Sequence, residues 1–97
     1  MYGVESSKLF IEYIDQAPLE IVNLLEAKIA LARQKPGRFK RIRHPYHLLF
    51  AIKFGEGRKN KRLIYLVEES SLHLLGVLDR DKEYNDLDKL LRVCGYK

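Results

Sequence analysis

At 97 residues, 46% hydrophobic and 32% charged, the chain is sized for one two-layer domain spanning 1–97, with no room for separate binding and catalytic domains. A single cysteine, Cys94, excludes an internal disulfide and a cysteine-built zinc site, and no repeat or low-complexity tract suggests a solenoid or a disordered tail. The formal charge of +5 is uneven: from Arg33 to Arg62 the basic residues are Arg33, Lys35, Arg38, Lys40, Arg41, Arg43, Lys53, Arg58, Lys59, Lys61 and Arg62 against Glu56 alone, so the rest of the chain is net acidic.

In chain order, Tyr2 and Val4 alternate as a brief strand does. Ser6 or Ser7 then offers a side-chain oxygen to cap a short helix whose apolar residues Leu9, Phe10, Tyr13 and Ile14 recur at helical spacing. "DQAP" ends it. Pro18, whose missing N–H costs nothing in a first turn, opens a second helix along "LEIVNLLEAKIALARQ", with Glu20 near its positive end. Ile21, Leu25, Ile29 and Ala32, flanked by Val22, Leu24 and Leu31, give that helix a broad apolar face, and "KPG" stops it, with Gly37 expected to permit the reversal. The two segments make an antiparallel helical hairpin.

Beyond Gly37 the period changes. In "HLLFAIKF", Leu48, Phe50, Ile52 and Phe54 point one way while His47, Leu49, Ala51 and Lys53 point the other. "FGEGRKNKR" is a glycine-containing connection with a basic tip, after which "RLIYLVE" and "LHLLGVL" read as further strands joined by "EESS". These strands are apolar on both faces in places, which implies helices on one side and a partly covered surface on the other. Leu87, Leu90 and Leu91, after Asn85 or Asp86 as cap, mark a short C-terminal helix. The fold class is α+β: an antiparallel β-sheet meander packed against an N-terminal helical hairpin, closed by a short C-terminal helix.

A basic middle on an otherwise acidic chain reads as a surface for a polyanion, because phosphates bound by Lys and Arg release counterions. Arg41, Arg43, Arg58, Lys59 and Lys61 are the expected nucleic-acid contacts, with His47 added because alternation puts it on the face of Lys53. His44 and His73 read as structural or surface residues, since their spacing gives no reason for convergence. No phosphate-cradling loop is present, because "GEG" lacks a following helix and the required lysine and Ser/Thr. No metal constellation stands out and no cofactor is expected. No apolar run approaches the roughly 20 residues of a membrane span, and "MYGVESSKLF" lacks the pattern of a signal peptide, so a cytoplasmic protein without membrane contact is expected.

The order "SSKLFIEYIDQAPLEIVNLLEAKIALARQKPGRFKRI", then "FAIKF", then "KRLIYLVEESSLHLLGVLDRDKEY" resembles the RelE/ParE superfamily of bacterial and archaeal toxins across nearly the whole chain. The resemblance implies the toxin of a type II toxin–antitoxin system, a metal-independent endoribonuclease that cleaves mRNA, usually on the ribosome, and is silenced by a cognate antitoxin. The alternative is a ParE-like gyrase inhibitor, or an inactive member that binds only antitoxin or nucleic acid. A homodimer or a toxin–antitoxin hetero-oligomer follows from either. Carried over by position, Lys53 stands where RelE-like nucleases have a catalytic lysine, Arg62 a transition-state arginine, Arg80 a second arginine for the reacting phosphate, and Tyr84 a tyrosine that stacks on a base or assists proton transfer. Ala51 departs from the pattern, since some RelE proteins carry a further lysine there. Asp79, Asp81 and Glu83 crowd Arg80, where relatives tend to be basic or neutral.

Metal-free cleavage of RNA needs a base for the 2′-OH, positive charge for the developing phosphate oxygens and a donor for the leaving 5′-oxygen. A lysine can be that base only if its ammonium form is disfavoured, which a neighbouring cation and partial burial both achieve.

Overall fold

The computed structural model describes residues 1–79 and 84–96, with backbone only for 84 and 85. Strand β1 (Gly3–Ser6) leads into α1 (Lys8–Gln16) and α2 (Leu19–Gln34), a 3-10 turn at Pro36–Arg38, strands β2 (Lys40–Ile42), β3 (Leu48–Glu56), β4 (Lys59–Glu68) and β5 (Ser71–Asp79), and helix α3 (Tyr84–Val93). The five strands form one sheet in the order β1-β5-β4-β3-β2. The expected meander is present from β3 to β5, all antiparallel, and two further strands extend it. The N-terminal β1 joins the far edge in parallel with β5, pairing Gly3 with Ser71 and Ser6 with Leu74. The short β2 adds the opposite edge, pairing Lys40 with Ala51 and Ile42 with Leu49.

Alternation along β3 and β4 supplies two cores. Phe50, Ile52 and Phe54 of β3 and Leu63 and Tyr65 of β4 meet Phe10, Ile21, Leu25 and Ala32 of the hairpin. On the reverse face Leu49, Ala51, Ile64, Leu66 and Leu75 meet Leu87, Leu90 and Leu91 of α3. The sheet is therefore a middle layer, which explains why its strands are apolar on both sides. β5 keeps step by a bulge: Tyr65 faces Leu74 and Ile64 faces Gly76, leaving Leu75 as the extra residue. A Cβ on Gly76 would come within 2.9 Å of Leu90 Cδ1, so the missing side chain lets α3 lie close to the sheet.

Local chemistry sets the junctions. Ser7 caps α1 by accepting from the Phe10 N–H at 3.1 Å, and its own hydroxyl donates to the Leu75 carbonyl, tying the cap to β5. The α2 exit differs from the expectation in one respect: the reversal uses a 3-10 turn opened by Pro36, and Gly37 is not among the residues with positive φ. That turn is held by Tyr65, wholly buried, whose hydroxyl donates to the Pro36 carbonyl at 2.6 Å. The "GEG" connection is also tighter than expected. Glu56 pairs with Lys59, so the loop is two residues, with Gly57 at φ 63° in the first central position, as a type II′ turn requires. The β4–β5 loop has the same length, but its first central residue is Glu69 at φ 54°. Left-handed backbone costs a residue with a Cβ about 1–2 kcal/mol.

Two outcomes are expected from these junctions. Glu69→Gly should stabilise by about 0.5 kcal/mol after the entropic cost of glycine, a rise of about 2–4 °C in Tm for a domain of this size, read by thermal denaturation. Tyr13 and Tyr65 should make the fold alkali-sensitive. Burial raises both phenols well above the ordinary 10.0, and for Tyr13 the hydrogen bond to Glu56 at 2.7 Å and the charge of that carboxylate add to it. The folded pKa lies above the unfolded one, so this stabilisation is complete below pH 10 and is lost as pH rises beyond it. Tyr65→Phe should cost about 1–2 kcal/mol at neutral pH by orphaning the Pro36 carbonyl, and should flatten the loss of Tm above pH 10.

Candidate functional site

The apolar face beneath α3 does not extend the full length of the strands. Moving along β3 its residues run Leu49, Ala51, Lys53, and along the antiparallel β4 they run Leu66, Ile64, Arg62. Lys53 and Arg62 are register partners, so they project on the same side with Cβ atoms about 5 Å apart. Leu78 of β5 is the next partner across, opposite Arg62, and packs on the edge of the α3 core. The result is a cation pair at the turn end of the β3–β4 ribbon, where the hydrophobic cover ends. Lys53 is exposed and Arg62 half-buried. Like charges placed directly opposite weaken a strand pair, and an anion between them offsets that repulsion.

The edge strand adds a third cation. Ile42 shares the α3 core, so Lys40, two residues away on the same strand, faces the same side, directly opposite Ala51. No sequence signal pointed to its orientation, because "KRI" is too short and contains a single apolar residue.

The other expected contacts distribute elsewhere. Arg41 pairs with Phe50, so it lies on the hairpin face, behind the cation pair. Lys59 and Lys61 face the same side as Arg41, opposite Glu56 and Phe54. Lys61 is engaged there by Asp79 at 2.9 Å. Arg58 occupies the second central position of the β3–β4 turn. Arg43, with Arg41, His44 and Pro45, lines an open cleft of about 620 Å³ beyond the end of β2. Arg80 and the side chain of Tyr84, both expected at the site, lie outside the described residues.

The histidines gather at the far end of the α3 face. His47 lies six residues before Lys53 along the chain, a separation of about 20 Å at strand rise. It stacks on His44 with centroids 5.1 Å apart and meets the Tyr96 ring edge-on at 5.5 Å. His44 Nδ1 accepts the N–H groups of Tyr46 and His47, both at 3.2 Å, which fixes the turn before β3. His73 meets the other side of Tyr96 at 6.2 Å and pairs with Glu5 at 3.0 Å. This aromatic group anchors the C-terminal residues over the sheet, at the end remote from Lys53 and Arg62. Among the described residues no group of three or more His, Cys, Asp or Glu is placed to hold a metal, and no helix is long and apolar enough to cross a membrane.

Fold and site together describe a class of molecule: a mixed five-stranded sheet with a helical hairpin on one face and, on the other, a C-terminal helix beside a cation pair. Among solved structures, the crystal structure of the isolated E. coli RelE toxin is similar with a TM-score of 0.66, covering 96% of this chain and 99% of that chain at 14% sequence identity. The fold is RelE-like. No family model matches the sequence, and no curated protein matches it.

One stability consequence separates the two faces. Lys61 and Asp79 form a partly exposed ion pair on the hairpin side, and such pairs contribute about 0.2–1 kcal/mol. Asp79→Asn should lower stability by no more than about 1 kcal/mol, and the difference from wild type should shrink between 0.05 M and 1 M salt in denaturant titrations.

Proposed function

We propose that the protein is a RelE-like toxin of a toxin–antitoxin pair that cleaves mRNA in the cytoplasm, on the ribosome, without a metal. The observation that carries this reading is the cross-strand pairing of Lys53 with Arg62 on one face of a RelE-like sheet. A scissile phosphate above the pair meets the Arg62 guanidinium and, beside it, the Lys53 amine. Lys53 then serves as the base that takes the 2′-OH proton, and Arg62 holds the phosphate oxygens as negative charge grows on them. The freed 2′-oxygen attacks phosphorus, and the 5′-oxygen leaves with a proton. Arg80 and Tyr84 keep the roles the sequence resemblance gives them, the first as a second phosphate cation and the second as a stacking or proton-transfer residue.

The cognate antitoxin has apolar surface to use. A groove of about 520 Å³ runs between α1, β5 and α3, with Leu9, Leu78, Leu90 and Val93 among its lining residues, and Leu9 and Val93 are exposed. A helix carrying apolar residues on one side suits such a groove. A second reading, a ParE-like or inactive protein that only binds, draws on Ala51, which leaves Lys53 as the single cation of β3 on that face.

Induced expression separates the readings. Under the nuclease reading, wild type should produce new mRNA 5′ ends within minutes, read by primer extension, while Lys53→Ala and Arg62→Ala each lose about 100-fold or more of the cleavage rate. Each variant should also melt close to the wild-type temperature, because neither side chain belongs to the buried core. Cleavage at the wild-type rate by the double variant would reject the site, and intact transcripts with damaged DNA would favour the ParE-like reading.

A further inference from the structure

The face that bears Lys53 and Arg62 also bears Lys40, and β3 opposes it with the smallest side chain in that row. Ala51 is 2% exposed and lies within the α3 core, one step along β3 from Lys53 on the same face. Lys40 lies directly opposite it on edge strand β2 and is exposed. Its side chain makes no hydrogen bond or ion pair with another described residue. From Lys40 to Lys53 is a diagonal cross-strand step of about 7–8 Å. Arg62 lies one strand further on. The three cations thus trace an oblique line across three adjacent strands, at the end of the face where the apolar cover stops. The other cation of β2, Arg41, is on the opposite side of the sheet and cannot join them.

We infer that Lys40 is a phosphate-contacting residue of this face: it holds the backbone phosphate next to the one gripped by Lys53 and Arg62, so that single-stranded RNA crosses the sheet obliquely toward the β2 edge. This rests on the ribonuclease reading. A flexible ammonium on an edge strand can follow a mobile backbone as a point charge, whereas Arg62, flanked on both sides by strands, is fixed at the reacting phosphate. Lys40 therefore contributes to holding RNA and little to the chemical step.

Binding is measured with an RNA oligonucleotide carrying a 2′-deoxy group at the cleaved position, titrated from 0.05 M to 0.3 M salt, beside single-turnover cleavage of an all-ribose mRNA on programmed ribosomes. Lys40→Ala should weaken binding about tenfold at low salt and reduce the slope of log K against log salt by about one unit of the single-strand value, with the saturated cleavage rate within twofold of wild type. Lys40→Arg should restore the slope. Arg41→Ala, which removes the same charge from the other face, should change the slope less. An unchanged slope in Lys40→Ala, or an equal loss in Arg41→Ala, overturns the inference and leaves Lys40 as an edge charge that discourages strand pairing. The ribonuclease reading fails separately, if the Lys53→Ala, Arg62→Ala double variant cleaves normally. Wild-type protein that binds RNA with no salt dependence overturns both.

Discussion

The register between β3 and β4 is the constraint on which the rest depends. Nine consecutive pairs, from Leu48 with Val67 to Glu56 with Lys59, decide which side chains meet the hairpin and which meet α3. A one-residue slip would turn Phe50, Ile52 and Phe54 toward α3 and drive Lys53 into the hairpin core, a cost no local adjustment recovers. The two-residue loop with Gly57 at positive φ fixes the pairing at one end. Tyr65 fixes it in the middle, wedged face to face with Phe50 at 5.3 Å and edge to face with Phe39 at 6.5 Å, its hydroxyl bonded to the turn after α2. Because the turn after α2 delivers the chain to β2, the same tyrosine links the helical layer to the edge strand that carries Lys40.

A sheet buried on both sides gives up the usual solvent-facing surface of an antiparallel meander. What remains exposed on the α3 side is the strip beyond the reach of α3, and the sequence fills it with Lys53, Arg62 and Lys40. On the hairpin side Lys61 pairs with Asp79 and Glu56 accepts from the Tyr13 hydroxyl, with Arg41 and Lys59 on the same side.

Periodicity made most of the elements legible. Ser7 as cap, the break before Pro18, the amphipathic run of α2 and the alternation of β3 are all written in residues a few positions apart, where local physics dominates. What was illegible depends on distant partners. Nothing in "GVES" states that β1 will lie parallel to a strand some seventy residues later, and nothing in "KRI" marks it as a strand until β3 is beside it. Face assignment followed the same division. The parity of Lys53 was readable from its own strand, whereas that of Lys40 needed the pairing with Ala51. His47 shows the limit of parity as evidence for a site, since it shares a side with Lys53 and yet is at the opposite end of the strand, among rings that hold the C-terminal segment.

The parallel seam between β1 and β5 has a consequence for biosynthesis. Gly3 to Ser6 find their hydrogen-bond partners only in residues 70 to 74, and the Ser7 cap is tied to the Leu75 carbonyl. A nascent chain emerging from the exit tunnel therefore carries an unsatisfied first strand until most of the polypeptide has been made, and final closure is a late, long-range event.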